Sequence, residues 1–474
     1  MPVVGLQSSY QNISSYGEVS YLPEIIVTVD FSKVIGVNNL STGFQISYGS
    51  GDFMRNSQMR QLAEDANFKL VRFTDWLASQ WIPSMMPCTR FNEQTKTGTY
   101  NWTNVDNVVG KIFQIGAEPL VCLGGVGGVT SFPPGMAINS TTNLPNPESY
   151  AVYCTDWVKH FKEVGLPVRY YEVVNEPWVY FGWEPVNFTR LNNYMSLFNA
   201  CAGSMRQQNP NLFISFDFVG RKPVLDYWLA NGGADVDSIN FHKYGDYVAG
   251  RKSDEDLFAT AENEYFGQWP LGYSVSQARQ VWFNARGKLL PIICSESNFN
   301  SAWQSGTDPR IQQMAGAVWT ALVLRMGVLS GVNYNVYFEL ASSANYGKTT
   351  ETGGAGFGMV NSDNNQPWYP YYVHCMLGNS LGVGDSLIEA VSSSDDIRTL
   401  AWIHNRTLNI FLICKVDQPR ILQLRGLESK LNFFKIDKTF PWETPSIQTG
   451  VVNSTEPCDI NGYTVALLQT PAPP

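Results

Sequence analysis

An α/β fold, a (β/α)8 TIM barrel with an accessory β-sandwich domain, is what this 474-residue sequence predicts. Three observations lead there. Between about residues 43 and 379, short apolar runs alternate with helix-period stretches, the rhythm of repeated βα units around a parallel sheet. Past about residue 385 the texture changes to alternating strands separated by turn formers, as a sandwich requires. Two of the barrel runs also end in a glutamate, and the C-terminal ends of barrel strands are where such folds carry their chemistry.

Taken in order, the β-rich segment Glu24–Asp30 precedes the barrel and either joins the sandwich sheet or caps the barrel bottom. Barrel strands are expected at Gly43–Ser47, Leu70–Thr74, Pro119–Leu123, Tyr170–Asn175, Phe213–Asp217, Ser238–His242, Ile292–Glu296 and Gly331–Asn335. Apolar positions at helical spacing fall in Met59–Ala66, Val105–Ile115, Tyr150–Val164, Leu191–Gln207, Val224–Leu229, Val275–Ala285, Gln312–Met326 and Tyr369–Leu377. Sandwich strands are expected at Thr399–His404, Asn409–Cys414, Arg420–Leu424 and Thr464–Leu468. The chain thus divides into an N-terminal segment (1–42), a catalytic barrel (43–382) and a C-terminal sandwich (383–474).

Composition narrows the partners. Hydrophobic residues at 44% suffice for a large core, and 32 basic against 41 acidic side chains leave a formal charge of −9. That balance argues against nucleic acid and anionic membrane as partners. No apolar run reaches the roughly eighteen residues of a spanning helix. Low charge with 14 Trp and 23 Tyr suits neutral, hydroxyl-rich ligands, although a large barrel core also consumes aromatics. The eight cysteines show neither a C-x-x-C spacing nor a nearby His cluster, so no metal or other cofactor is expected. Cys122, Cys154, Cys201 and Cys294 fall on core faces, whereas Cys88 and Cys458 lie in loop-like contexts open to oxidation.

Asn175-Glu176-Pro177 closes the apolar run that begins at Tyr170, and Glu296 closes Pro291-Ile292-Ile293-Cys294-Ser295. Side chains alternate along a strand, so Glu172, Val174 and Glu176 should share one face, and Ile292, Cys294 and Glu296 another. Strands four and seven face each other across a barrel mouth. Glycosidic cleavage needs one carboxylic acid for the leaving oxygen and one carboxylate beyond the anomeric carbon. The pair therefore suggests retaining hydrolysis, with Glu176 as acid/base and Glu296 as nucleophile. Taken singly, an acid followed by Pro also suits a helix start, and Ser-Glu-Ser suits a loop or cap. Glu172 reads as a structural acid paired with a buried Arg.

From these residues outward the chain resembles the retaining (β/α)8 glycoside hydrolases of clan A, most closely the family 39 type. Further likeness lies in Leu70-Val71-Arg72-Phe73, Tyr100-Asn101-Trp102-Thr103, Gly116-Ala117-Glu118-Pro119, Phe241-His242-Lys243-Tyr244 and Gly356-Phe357-Gly358-Met359-Val360. The resemblance implies that Asn175 bonds the sugar 2-hydroxyl, that Arg72 keeps Glu296 ionised, and that His242 and Tyr244 line the same subsite. For Arg72 the alternative is a partner for Glu172, and for His242 a satisfied core histidine. Strand eight departs from the clan, which often places a Trp under the sugar; here Tyr334 or Tyr337 takes that place.

Aromatics crowd the loops after strands two and four, at Asp75-Trp76 through Trp81 and Trp178 through Trp183. Trp76 and Trp178 are candidate sugar platforms, with ordinary loop packing as the other explanation. Gly124-Gly125-Val126-Gly127-Gly128 lacks the Lys-Ser/Thr ending of a phosphate cradle and reads as backbone room near substrate. The expected partner is an oligo- or polysaccharide, and the expected activity is endo-acting hydrolysis of β-1,4-linked glucan or xylan. An exo-acting β-xylosidase or β-glycosidase, or a barrel that binds sugar without cleaving it, are the alternatives. Action on such polymers implies an extracellular protein, although Met1-Pro2-Val3-Val4-Gly5 is not a secretory leader and Thr470-Pro471-Ala472-Pro473-Pro474 resembles the start of a linker.

Overall fold

The computed structural model describes residues 24–47, 53, 56–76, 84–125, 131–182, 185–218, 220–264, 272–302, 308–343, 356–427 and 430–472. Ser41–Gln45, Leu70–Thr74, Glu118–Leu123, Tyr170–Val173, Phe213–Asp217, Ser238–Tyr244, Ile292–Asn298 and Tyr334–Tyr337 pair in parallel and close into a barrel. The strand period of two sorts their side chains. Leu70, Leu120, Tyr170, Ile293 and Val336 meet inside as an apolar plug, while Val71, Val121, Tyr171, Val173 and Ile292 face the surrounding helices. Two residues further along three of these strands the interior turns polar, with Arg72, Glu172 and Ser295 fully buried. The plug thus floors a charged chamber that opens at the strands' C-terminal ends.

The helices form where apolar spacing coincides with a cap. Ser57–Asp65 starts at Asn56, whose side chain accepts from Gln58 and Met59 N–H; Val275–Arg286 has a Ser274/Gln277 capping box and ends at Gly287 in the left-handed region. Thr103–Gln114, Pro147–Glu163, Phe188–Gln208, Lys222–Ala230, Met314–Ser330 and Tyr369–Gly378 overlap the expected stretches. Two short helices, Trp178–Phe181 and Asp254–Ala261, have no counterpart in the sequence expectation. Strand eight starts at Tyr334 instead of Gly331. Gly331 adopts φ 75° and ends the preceding helix, so it is spent on the turn.

Glu24–Val37 joins the sandwich, between Ser386–Ser392 (antiparallel) and Arg420–Arg425 (parallel). Ile397–His404, Thr407–Cys414, Lys430–Ile436, Gln448–Asn453, Cys458–Ile460 and Val465–Pro471 complete one nine-stranded sheet folded over its own apolar core. Its outer face packs on the helices that follow the last barrel strands. Arg325 Nε donates to Thr399 O at 2.7 Å, Lys415 pairs with Glu262 at 2.7 Å, and Tyr369 donates to Asp437 O and Phe440 O at 2.7 Å each.

All eight cysteines are free. Cys88 is a correction: it opens the strand Cys88–Asn92 and is buried, and burial pushes its thiol up to about 11, which leaves little thiolate to oxidise. Cys458 likewise sits in a strand, half-buried. Among the described residues no helix is long and apolar enough to cross a membrane.

Candidate active site

Glu176 and Glu296 both reach the chamber, but not by simple alternation. Strand four ends at Val173; Val174 then takes φ 70° and Glu176 φ 49°. A positive φ at a β-branched residue is an outlier, and such conformations cost about 1–3 kcal/mol. The turn is anchored by Val174 N–H to Leu123 O at 2.7 Å and Asn175 N–H to Gly124 O at 2.9 Å. It swings Asn175 toward Arg72 and Glu176 toward His242. In strand seven, Ile292 and Cys294 face the helices, the reverse of what placing them with Glu296 requires. Pairing with strand six steps from Cys294↔Phe241 to Glu296↔His242, so Ser295 is a bulge residue. The extra residue turns Glu296 inward beside Ser295.

Arg72 organises the chamber. Its Nε donates to Glu172 Oε2 at 2.7 Å, Nη1 to Gln45 Oε1 and to Glu296 Oε1 at 2.6 Å each, and Nη2 to Asn175 Oδ1 at 2.5 Å. Both readings of this arginine therefore apply at once. Glu296 Oε2 accepts from Tyr244 OH at 2.6 Å. His242 bridges the acids, its Nδ1 lying 3.0 Å from Glu176 Oε1 and 3.4 Å from Glu296 Oε2, with Nε2 3.7 Å from Asp217 Oδ2. Carboxylate oxygens of Glu176 and Glu296 lie within 4.8 Å of each other.

The surroundings shift the two acids in opposite directions. Burial raises the Glu176 carboxyl above its ordinary range, Glu296 adds to that, and His242 opposes it. For Glu296 burial is again the largest influence, but His242, Arg72 and the Tyr244 hydroxyl together outweigh it and lower the carboxyl. His242 is pushed up to about 9: burial opposes its charge, and Glu296, Asp217 and Glu176 prevail. With a side chain 26% exposed against 6% for Glu296, Glu176 is the more open of the pair. A carboxyl shifted toward its protonated form facing one shifted toward its ionised form suits an acid and nucleophile arrangement.

The remaining expected residues divide. Trp178 packs edge-on against His242, ring centroids 5.8 Å apart. Trp76 lies against the Gly-rich turn, where a Cβ on Gly125 would meet its indole nitrogen at 2.0 Å, so the room at Gly125 serves this ring. Tyr337 is a correction. Val336 occupies the interior plug, so Tyr337 points outward and packs on His374 at 5.4 Å. Tyr334 sits in the plug beside Tyr170, and neither tyrosine floors the site. Phe338, the next residue, lies edge-on to Tyr244, ring centroids 6.4 Å apart. Trp81, Trp183 and Val126 to Gly128 lie outside the described residues.

Gln45 and Asp217 went unanticipated; Asp217 closes the largely apolar strand Phe213–Asp217, the same signal that marks Glu176, whereas Gln45 ends the strand Ser41–Gln45, in which Phe44 is the one large apolar residue. Among the described residues two sets have metal-ligand spacing, Glu172/Asp217/His242 and Glu176/His242/Glu296. Both need a neutral His242, and its raised pKa favours the imidazolium instead.

No family model and no curated protein sequence matches this chain. Solved structures share its fold. A GH39 β-xylosidase from Caulobacter crescentus is 16% identical over 94% of this chain and 100% of that one, with a TM-score of 0.61. An α-L-arabinofuranosidase from Thermotoga maritima is 12% identical over 94% and 99%, with a TM-score of 0.62. A GH30 endoxylanase from Clostridium papyrosolvens C71 is 14% identical over 95% and 100%, with a TM-score of 0.56. The barrel with its attached β-sandwich is thus a fold this chain shares with these enzymes.

Proposed function

We propose that this chain is a retaining glycoside hydrolase that cleaves β-1,4-linked xylan or glucan by double displacement. The approach of Glu176 and Glu296 oxygens to within 4.8 Å carries the reading. Retaining pairs stand about 5–5.5 Å apart, whereas inverting pairs need about 6.5–9.5 Å to admit a water. The Glu296 carboxylate attacks the anomeric carbon as Glu176 delivers its proton to the leaving oxygen. A glycosyl ester of Glu296 results. Glu176, now ionised, takes a proton from water as that water attacks the same carbon and frees Glu296.

The surrounding residues fit these roles. Arg72 and Tyr244 disperse the negative charge of Glu296 before attack and after release. Asn175 spends its Oδ1 on Arg72, which leaves the amide Nδ2 to donate to the sugar 2-hydroxyl. Trp178, edge-on to His242, lies beside the pair, and Trp76 on the Gly125 turn is a second candidate sugar platform. We read the action as endo and extracellular, where such polymers are met; likeness in fold to a β-xylosidase favours exo action on xylosides as the second reading.

Hydrolysis of soluble xylan, β-glucan and aryl β-glycosides by wild type and Glu296→Gln tests the assignment. Wild type should release sugar and the variant should not. Equal release by both, or release by neither, removes the catalytic assignment and leaves a sugar-binding barrel. Product size separates internal cuts from single terminal sugars.

A further inference from the structure

Away from the carboxylate pair, a cavity of about 300 Å³ opens between barrel and sandwich. Its barrel side comes from the starts of helices that follow strands six, seven and eight: Asp254 opens Asp254–Ala261, Gln313 precedes Met314–Ser330, and Tyr369 opens Tyr369–Gly378. Helices in this fold begin at the C-terminal ends of the strands. The cavity therefore lies at the same end of the barrel as Glu176 and Glu296. The sandwich contributes Phe440, Trp442 and Tyr463.

The charges lining it are already matched. Arg310 holds Asp308 and Asp254 at 2.7 Å each, and Lys438 pairs with Asp417 while its Nζ stands 4.4 Å from the Tyr463 ring centre. Tyr463 OH in turn donates to Asp254 at 2.8 Å. With every cation facing a carboxylate, a phosphate or another anion finds no surplus charge. The Gln313 side-chain amide and the Trp442 indole, however, line the cavity half-buried, one a neutral donor and acceptor and the other an apolar ring with a single donor. Half-buried aromatic faces at Phe440 and Trp442 beside neutral donors and acceptors match a pyranose, whose ring faces are apolar and whose rim is hydroxyl. Size and place agree, since small-ligand sites start at about 300 Å³ and favour domain boundaries.

We propose that this cavity is a non-catalytic glycan-binding site that holds a neutral pyranose unit of a β-1,4-linked chain. It rests on the glycosidase reading only for the choice of polymer. Occupied, it tethers a long substrate at the active end of the barrel and leaves short substrates unaffected.

Calorimetric titration of Glu296→Gln with xylohexaose, and with cellohexaose in parallel, should show two binding events. Adding Trp442→Ala or Gln313→Ala should abolish one of them. In the active enzyme the same two substitutions should raise KM for soluble xylan or β-glucan about three- to tenfold, the worth of one aromatic contact. Hydrolysis of an aryl glycoside should stay unchanged. Were Trp442→Ala to impair the aryl glycoside as well, its fold would be compromised and Gln313→Ala would decide. A single binding event in the parent, or two that survive both substitutions, overturns the proposal. The titration needs no turnover, so it stands apart from any failure of the catalytic reading.

Discussion

Nη1 of Arg72 lies 2.6 Å from Oε1 of Glu296, and both side chains are almost wholly withdrawn from water. The same guanidinium binds Glu172, which is fully buried. One cation thus serves two acids. Removing one partner of a buried ion pair costs about 3–5 kcal/mol, because the other is left charged without water. Arg72→Met should therefore lower unfolding free energy by about that amount, measured by urea denaturation at neutral pH. A loss within about 0.5 kcal/mol, as at ordinary surface positions, would mean that the network carries no such weight.

The opposite shifts of the two acids set the pH profile. Activity requires Glu296 ionised and Glu176 protonated, so it should rise on an acid limb below the usual glutamate range and fall on an alkaline limb above it. Tyr244→Phe removes a donor that lowers Glu296, so the acid limb of kcat/KM should move to higher pH. The alkaline limb should stay in place.

His242 acts on both acids, lowering each. His242→Asn removes that cation, and both limbs should move to higher pH. A shift of one limb alone would show that the imidazolium faces a single carboxylate.

Glu176→Ala should slow hydrolysis about 10²–10⁴-fold for substrates with a poor leaving group, the usual worth of a general acid. Aryl glycosides with an excellent leaving group should lose far less, because they need little protonation. Equal losses across a leaving-group series would take Glu176 out of the acid role.

Asp75, just past the C-terminal end of Leu70–Thr74, couples stability to pH. It accepts from Gly124 N–H and Tyr153 OH at 2.8 Å each, and burial raises its carboxyl from 3.8 to about 7 despite those bonds. A raised carboxyl means that the folded state holds the proton longer than the unfolded one. Its favourable contribution is complete below about pH 4 and is lost as pH climbs to about 7. Asp75→Asn has no such titration, so across that window its stability should gain on wild type, as followed by thermal melts.

The strand ends carried most of what the sequence could tell. Apolar runs with an acid at the close are visible at Tyr170 to Glu176 and Ile292 to Glu296, because burial dictates the run and chemistry dictates its last residue. The reason first given for their inward direction fails at both sites. Val174 breaks the strand period with a left-handed turn, and Ser295 breaks it with a bulge. Neither Val nor Ser is a residue whose type announces such a conformation. The same blindness to register misplaced Tyr337, since strand eight starts three residues later than Gly331, at Tyr334. Asp217 was legible by the strand-end rule, whereas Gln45 closes a strand with one large apolar residue and carries no motif of its own.

Proton NMR of the first sugar released from a β-linked substrate tests the central claim most directly. Double displacement by Glu296 with Glu176 as acid/base predicts that the β-anomer forms first and then mutarotates. Initial release of the α-anomer would mean that water attacks directly, and the covalent role assigned to Glu296 would be wrong.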